Sequence, residues 1–156
     1  MSGDPARTLM GAYLRSAVSR TEEVEALKAE IYDREEPEFA GMTDAMFTVL
    51  VRRRFDPAGH VREIRQFAAR CRTRYGRPAV LGLEMEALIR FRLDDTGVAV
   101  DDITEDDTLR QQIFAIDQIV AELGLRGGGP ELDRLIVEAE RLAEERGLHP
   151  LPLLEP

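Results

Sequence analysis

The sequence predicts an all-α domain of about six helices, and three observations support this fold class. Apolar residues recur at three- and four-residue intervals in five stretches, as amphipathic helices require. Segments with the two-residue alternation of a strand are almost absent. Strands and helices do not alternate along the chain, which argues against α/β folds. We therefore predict a single-domain helical bundle over residues 1–148 and a proline-rich tail over residues 149–156.

The N-terminal stretch carries capping signals at both ends. Asp4-Pro5 combines a capping side chain with a proline suited to the first helical position. The apolar pattern runs to Ile31, and Pro37 discourages continuation. Ser19 and Glu22 have the spacing of a capping box, so this stretch forms one long helix or two.

Segment 43–55 is compatible with two kinds of secondary structure. Its residues 47–51 are apolar and could form a short buried strand. A helix is favoured, because Arg52, Arg53 and Arg54 would then lie at the negative end of its dipole.

The remaining helices are predicted from proline starts and glycine stops. Asp56-Pro57 begins a helix that ends at Gly76, and Pro78 begins another that ends at residues 94–97. Residues 102–105 form a capping-box variant, and Pro130 begins a last helix that stops at Gly147. The inward-facing residues predicted for these helices are Val61, Ile64, Ala68, Cys71, Tyr75, Leu81, Met85, Leu88, Ile89, Leu109, Ile113, Ile116, Val120, Leu123, Leu132, Leu135, Ile136, Ala139 and Leu142.

Composition narrows the class of protein. The single cysteine, Cys71, cannot form an intramolecular disulfide, and no CxxC pair exists to hold zinc. No run of 18 apolar residues predicts a membrane span, and the first residues lack the pattern of a secretion signal. We therefore expect a cytoplasmic protein that does not enter the membrane.

Charge is distributed unevenly along the chain. The net charge is −9, yet residues 51–77 contain nine arginines against Asp56 and Glu63, which gives this segment +7. The flanking segments are acidic, with −5 over residues 1–50 and −11 over residues 78–156. Guanidinium groups bind phosphates and carboxylates through paired hydrogen bonds, so the basic segment is a candidate anion site.

The position of each arginine predicts its role. Arg65 and Arg72 border the apolar stripe seven residues apart, and we expect both to form ion pairs within the chain. The predicted anion- or partner-binding residues are Arg53, Arg54, Arg70 and Arg74, with Arg62 as a further candidate. Nucleic acid is the less favoured partner, because the protein is acidic overall and aromatic residues for base stacking are few.

Two patterns have the form of metal sites. All-α nucleotide pyrophosphatases hold magnesium with ExxE and ExxD pairs on successive helices, and Glu22/Glu25 and Glu30/Asp33 match those strings. Both pairs lie in one stretch, however, whereas such a site needs two helices. His60 and Glu63 are spaced like ligands of a di-iron bundle, but no second motif accompanies them. We therefore predict no metal and no cofactor.

The other polar candidates have structural explanations. Cys71 lies in the core stripe and should be buried rather than reactive. Glu86 precedes Arg90 by four residues and should form a surface pair, whereas Glu84 should meet an arginine of the basic helix. The glycines at 127–129 lack the strand and lysine of a phosphate-binding loop.

No set of residues therefore predicts a catalytic centre. We expect a non-enzymatic helical adaptor or regulatory subunit that binds another protein and that could also form homo-oligomers. Two alternatives remain open. One is an anionic-ligand or nucleic-acid binder that uses residues 51–77, and the other is a divergent metal-dependent nucleotide hydrolase built on the carboxylates of the N-terminal stretch.

Overall fold

The structure is a computed structural model that describes residues 8–34, 38–59, 61–149 and 152. Within these residues the chain forms seven α-helices, and its β-structure is limited to one isolated antiparallel bridge between Thr8 and Pro152. The all-α prediction is confirmed. The helices are α1 (Leu9–Ser19), α2 (Val24–Asp33), α3 (Phe39–Arg54), α4 (Val61–Tyr75), α5 (Gly82–Arg92), α6 (Glu105–Glu122) and α7 (Pro130–Glu145).

Several predicted features lie outside the described residues. They are the Asp4-Pro5 helix start, the stop at Pro37, and His60 with its proposed spacing to Glu63. Most of the tail over residues 149–156 also lies outside them.

The described residues divide into two compact units. One, called unit 1, comprises residues 1–46 and 120–156, and the other, called unit 2, comprises residues 47–119. The boundaries fall inside α3 and α6, so each of these helices contributes residues to both units. Among the described helices, α1 packs on α2 and α7 in unit 1, whereas α4 packs on α5 in unit 2.

The N-terminal stretch forms two helices rather than one. Arg20 adopts a left-handed conformation with φ of 56° at the end of α1, and the Thr21 amide donates to the carbonyl of Ser16. This is the Schellman stop, which breaks the helical path without a glycine. The predicted Ser19–Glu22 capping box is wrong, because Ser19 is still the last residue of α1.

The helix predicted for segment 43–55 is confirmed, although α3 begins four residues earlier, at Phe39, and ends at Arg54. Nearly every residue of α3 from Met42 to Val51 is buried, with Asp44 as the exception. A helix that is apolar on all sides requires burial on all sides, which explains why this segment also resembles a buried strand.

The helices predicted to begin at Pro57 and Pro78 each begin four residues later, at Val61 and Gly82. After α3, the Asp56 carboxylate accepts a hydrogen bond from the Ala58 amide in a turn, and α4 begins only at Val61. Pro78 also precedes its helix by four residues. The Gln111 side chain binds this connection, because it accepts from the Leu81 amide and donates to the Ala79 carbonyl.

The C-terminal helices follow most of the predicted signals. Thr104 caps α6 by accepting from the Asp107 amide, so the predicted box over residues 102–105 is wrong in its capping residue. Ile113 was predicted inward but is 46% exposed. Pro130 begins α7, and Gly147 ends it in a left-handed conformation while the Leu148 amide donates to the Ala143 carbonyl.

Candidate functional site

Three arginines of the basic segment bind side chains within unit 2. Arg54 pairs with Glu63 at 2.8 Å, which joins the end of α3 to the start of α4. Arg65 pairs with Glu86 of α5 at 2.6 Å. Arg74 donates to the Gln118 amide oxygen of α6 at 2.9 Å. Part of the basic segment therefore stabilises the packing of its own unit.

Arg65 forms the predicted ion pair within the chain, but its partner Glu86 was expected to pair with Arg90. Glu86 was expected on the surface beside Arg90, yet it is buried and faces α4. Arg90 instead binds Asp95 at 2.8 Å. Glu84, expected to meet an arginine of α4, forms no hydrogen bond or ion pair with any described residue.

Arg72 does not form the ion pair that its position predicted, as far as the described residues show. Its side chain lies against Gly82, where a Cβ atom would approach the arginine Cδ to 3.1 Å. The buried Nε has no hydrogen-bond partner in the part of the chain that the structure describes. Arg72 thus contributes packing between α4 and α5 rather than charge pairing.

The outward side of α4 carries cations that point to solvent. Arg62 and Arg70 lie two helical turns apart and are exposed, and Arg77 is exposed just beyond the helix end. The Arg70 guanidinium lies 5.8 Å from the centre of the Phe67 ring. Neither Arg62 nor Arg77 forms a hydrogen bond or ion pair with the described residues. We call these three residues the α4 arginine line.

The four predicted partner-binding arginines therefore differ in environment. Arg53 and Arg70 are exposed on α3 and α4. Arg74 is partly exposed, although it is tied to α6. The Arg54 side chain is only 19% exposed and is paired with Glu63. Arg53, Arg70 and Arg74 are thus exposed, whereas Arg54 is largely covered by its contacts.

Tyr75 fixes the last turn of α4 to α6. Its hydroxyl donates to the Asp117 carboxylate, and its ring packs on Phe114 with 4.9 Å between ring centres. Burial, followed by the hydrogen bond to Asp117, raises the pKa of the Tyr75 phenol above its ordinary range. The phenol therefore stays protonated and acts as a donor that positions the basic helix.

An apolar face of α5 is exposed, which the sequence analysis missed. Leu83 is 78% exposed and Phe91 is 41% exposed, with Ala87 half-buried between them. A cleft of about 470 Å³ adjoins Phe91, and its lining is mostly polar, with Arg52, Arg92, Asp94 and Asp95 among its residues. The sequence shows the four-residue spacing of these three residues, but the further apolar residues Met85, Leu88 and Ile89 predict a different inward face.

A second cleft lies in unit 1. It has a volume of about 300 Å³, and its lining includes Thr8, Glu140, Glu144 and His149. Glu140 is buried and accepts hydrogen bonds from the Thr8 amide at 2.7 Å and from the Thr8 hydroxyl at 2.6 Å. Through these bonds the buried Glu140 carboxylate caps the start of α1, which accounts for its burial.

The carboxylates of the N-terminal stretch are not gathered into a site. Glu22 lies in the turn before α2, whereas Glu25, Glu30 and Asp33 lie along α2 itself. Glu30 is paired with Arg34 at 2.9 Å. Among the described residues, no three His, Cys, Asp or Glu side chains are grouped to hold a metal ion. Cys71 is fully buried, as expected for a core residue.

Within the described part of the chain, no helix combines the length and the apolar character needed to cross a membrane. Comparison with protein-family models, curated proteins and solved structures finds no match to this chain. Its function is therefore inferred from its own residues.

Proposed function

We propose that this chain is a non-enzymatic adaptor or regulatory subunit of the cytoplasm that binds an acidic segment of another protein. The observation that carries the proposal is the α4 arginine line, which consists of Arg62, Arg70 and Arg77. Helix geometry spaces Arg62 and Arg70 about 12 Å apart along α4. Such a row of exposed guanidinium groups is suited to a partner with several carboxylates along one side.

The neighbouring ion pairs support a binding role for this line. Arg54, Arg65 and Arg74 are committed to partners within unit 2, so they hold α4 in place. Arg62 and Arg77 of the line form no hydrogen bond or ion pair with the described residues. Exposed cations of this kind contribute little to stability, and their ion pairs with a surface partner give specificity and a faster association rate. The α4 arginine line thus lies on a helix whose position is fixed by other arginines.

A protein partner fits this surface better than a nucleic acid does. Unit 2 contains twelve arginines and twelve aspartates and glutamates, so its formal charge is zero, and unit 1 carries the whole net charge of −9. Nucleic-acid binding usually requires a net basic footprint. A local basic line on an otherwise neutral unit favours a partner that supplies a few well-placed carboxylates.

The proposal is tested with a fluorescein-labelled peptide rich in glutamate and leucine, measured by fluorescence anisotropy. Reversing two charges of the line, with Arg62→Glu and Arg70→Glu, should weaken binding about tenfold or more. The matched control is Arg134→Glu with Arg141→Glu, which makes the same change of charge at exposed positions of α7. The control should bind the peptide nearly as well as the wild type does.

Equal weakening in both double variants would mean that the peptide senses only net charge, and the proposal would fail. A single-stranded oligonucleotide is titrated in parallel. If it bound more tightly than the peptide, with an affinity that fell steeply with salt, the nucleic-acid alternative would replace the protein partner.

A further inference from the structure

The solvent-facing side of α2 carries carboxylates and a large exposed aromatic ring. Glu25 and Asp33 are exposed, and neither forms a hydrogen bond or ion pair with the described residues. Tyr32 is 73% exposed, whereas Ile31, the buried residue of α2, lies on the opposite side of the helix. Exposed tyrosines are enriched where one protein contacts another, because the ring packs while the hydroxyl stays hydrated. The packing of α2 within unit 1 does not account for this side of the helix.

The spacing of the two carboxylates matches the spacing of the α4 arginine line. Glu25 and Asp33 lie eight residues apart on α2, as Arg62 and Arg70 do on α4. Each pair is therefore separated by about 12 Å along its helix and belongs to a row of side chains at four-residue intervals. Such rows run parallel when two helices cross at about −50°, which is the commonest packing angle. The exposed Ala29 in the middle of the acidic row lets a second helix approach closely.

Few charges of the wrong sign lie on either surface. Lys28, the only lysine, lies about 100° around α2 from the middle of the acidic row. Glu63, on the outward side of α4, is paired with Arg54. Arg70 also contacts the Phe67 ring, but a guanidinium has five donors, so this contact leaves donors for a carboxylate. The two surfaces are thus complementary in charge.

We propose that the α4 arginine line of one copy of this chain binds the outer side of α2 of a second copy. Glu25 and Asp33 of one copy meet Arg62 and Arg70 of the other along parallel rows. The Tyr32 ring lies next to Asp33, so it stacks on the guanidinium that meets this carboxylate. The inference rests on the proposed function in that it uses the same arginine line, and it adds that the chain carries an acidic surface of its own that fits this line.

Self-association and the binding of another acidic partner then exclude each other. A second copy covers the arginines that an acidic peptide needs, so the peptide should dissociate the associated chains. The two surfaces of each copy are different, so the contact is heterologous and can repeat from one copy to the next. Four charged side chains and one ring form a small contact, and we expect a dissociation constant of about 100 µM.

Sedimentation equilibrium of the full chain at low salt tests this association. The α2 variant combines Glu25→Arg with Asp33→Arg, and the line variant combines Arg62→Glu with Arg70→Glu. Each should weaken self-association about tenfold or more. Each substitution changes the charge by two, so the net charge moves from −9 to −5 in the α2 variant and to −13 in the line variant. A general effect of net charge would therefore strengthen one and weaken the other.

An equimolar mixture of the two variants gives the decisive measurement. The α2 variant keeps an intact arginine line, and the line variant keeps an intact α2. Their mixture should therefore associate about as tightly as the wild type, although each variant alone associates weakly. The matched control combines Glu138→Arg with Glu145→Arg, which makes the same change of charge at exposed positions of α7 and should leave association intact. Circular dichroism melting confirms that each variant is folded.

Three results would overturn the inference. They are a monomer at every concentration up to about 1 mM, an association that the α2 variant leaves unchanged, and a mixture that associates no better than its components. The labelled peptide tests the proposed function separately, because the α2 variant keeps the arginine line and should still bind it. Peptide binding by a wild type that stays monomeric would remove this inference alone. Self-association without peptide binding would support this inference and remove the acidic segment of another protein.

Discussion

A single buried carboxylate organises the start of α1. Thr8 is the N-cap of this helix, and its side chain accepts from the Gly11 amide at 2.9 Å. Glu140 of α7 then accepts from the Thr8 amide and hydroxyl, which places a negative charge at the positive end of the helix. Gly11 allows this approach, because a Cβ atom there would lie 2.4 Å from a Glu140 carboxylate oxygen.

This geometry predicts strong coupling between positions 11 and 140. Gly11→Ala should lower the free energy of unfolding by about 2 kcal/mol, since the added methyl group displaces the carboxylate. Glu140→Ala should cost a similar amount, about 2 kcal/mol, because the Thr8 donors lose their acceptor. In the double variant, alanine at position 11 has room and a better helix propensity, so the combined loss should fall short of the sum by about 1 kcal/mol or more.

Urea denaturation of the wild type, the two single variants and the double variant measures this coupling. If the two losses simply added, the carboxylate and the glycine would be independent, and the explanation given for Gly11 would be wrong.

Helix α4 carries two kinds of arginine. Some form contacts that fix the position of the helix, and others are exposed to solvent. Arg65 reaches Glu86, whose side chain is only 8% exposed. Arg62 lies three residues earlier on the same helix and has no partner among the described residues. The two positions therefore share a helix and a side-chain type but differ in their contacts.

Alanine substitution should distinguish the two arginines. Arg65→Ala should lower the free energy of unfolding by about 2 kcal/mol, because the nearly buried Glu86 carboxylate loses its charged partner. Arg62→Ala should change it by no more than about 0.5 kcal/mol, as expected for an exposed side chain without specific contacts.

Thermal and urea denaturation of the two variants provide the comparison, with the same loss of charge in each. Equal effects would contradict the division of α4 into holding and displayed arginines.

The distribution of charge along the sequence differs from its distribution between the two units. The +7 segment over residues 51–77 belongs to a unit whose formal charge is zero, because the acidic residues after position 78 neutralise it. Unit 1 carries the excess of negative charge. Basic character is thus a property of one helix face rather than of the molecule.

The negative charge of unit 1 does not predict a magnesium site. The four carboxylates of the ExxE and ExxD strings lie on α2 and the turn before it, and no described grouping of ligands brings them together. Magnesium should therefore leave the melting temperature unchanged. A site present only in the native state would raise stability by about 2.7 kcal/mol at a hundredfold excess of ligand over its dissociation constant.

Differential scanning fluorimetry with and without magnesium measures this effect, with Glu22→Gln and Glu30→Gln as the diagnostic variants. A reproducible rise in melting temperature that either variant abolished would support the hydrolase alternative instead.

The fold class and several helix ends can be predicted from short stretches of the sequence. Gly76 and Gly147 stop α4 and α7 because both adopt the left-handed conformation that glycine favours. Pro130 starts α7 because its fixed φ suits the first helical position. These features follow from hydrogen bonds and dihedral preferences within a few residues, so one stretch of chain contains all the information that they require.

The pairing of side chains between helices depends on tertiary packing. The connection between Pro78 and the start of α5 is bound by Gln111, which lies more than thirty residues further along the chain. Glu86 pairs with Arg65 rather than with Arg90, and Ile113 faces outward. Helical periodicity places residues on a face, but the partner of a charged or polar side chain depends on which helix packs against that face. Contacts between distant parts of the chain determine which helices pack together, and a local sequence pattern contains no information about such contacts.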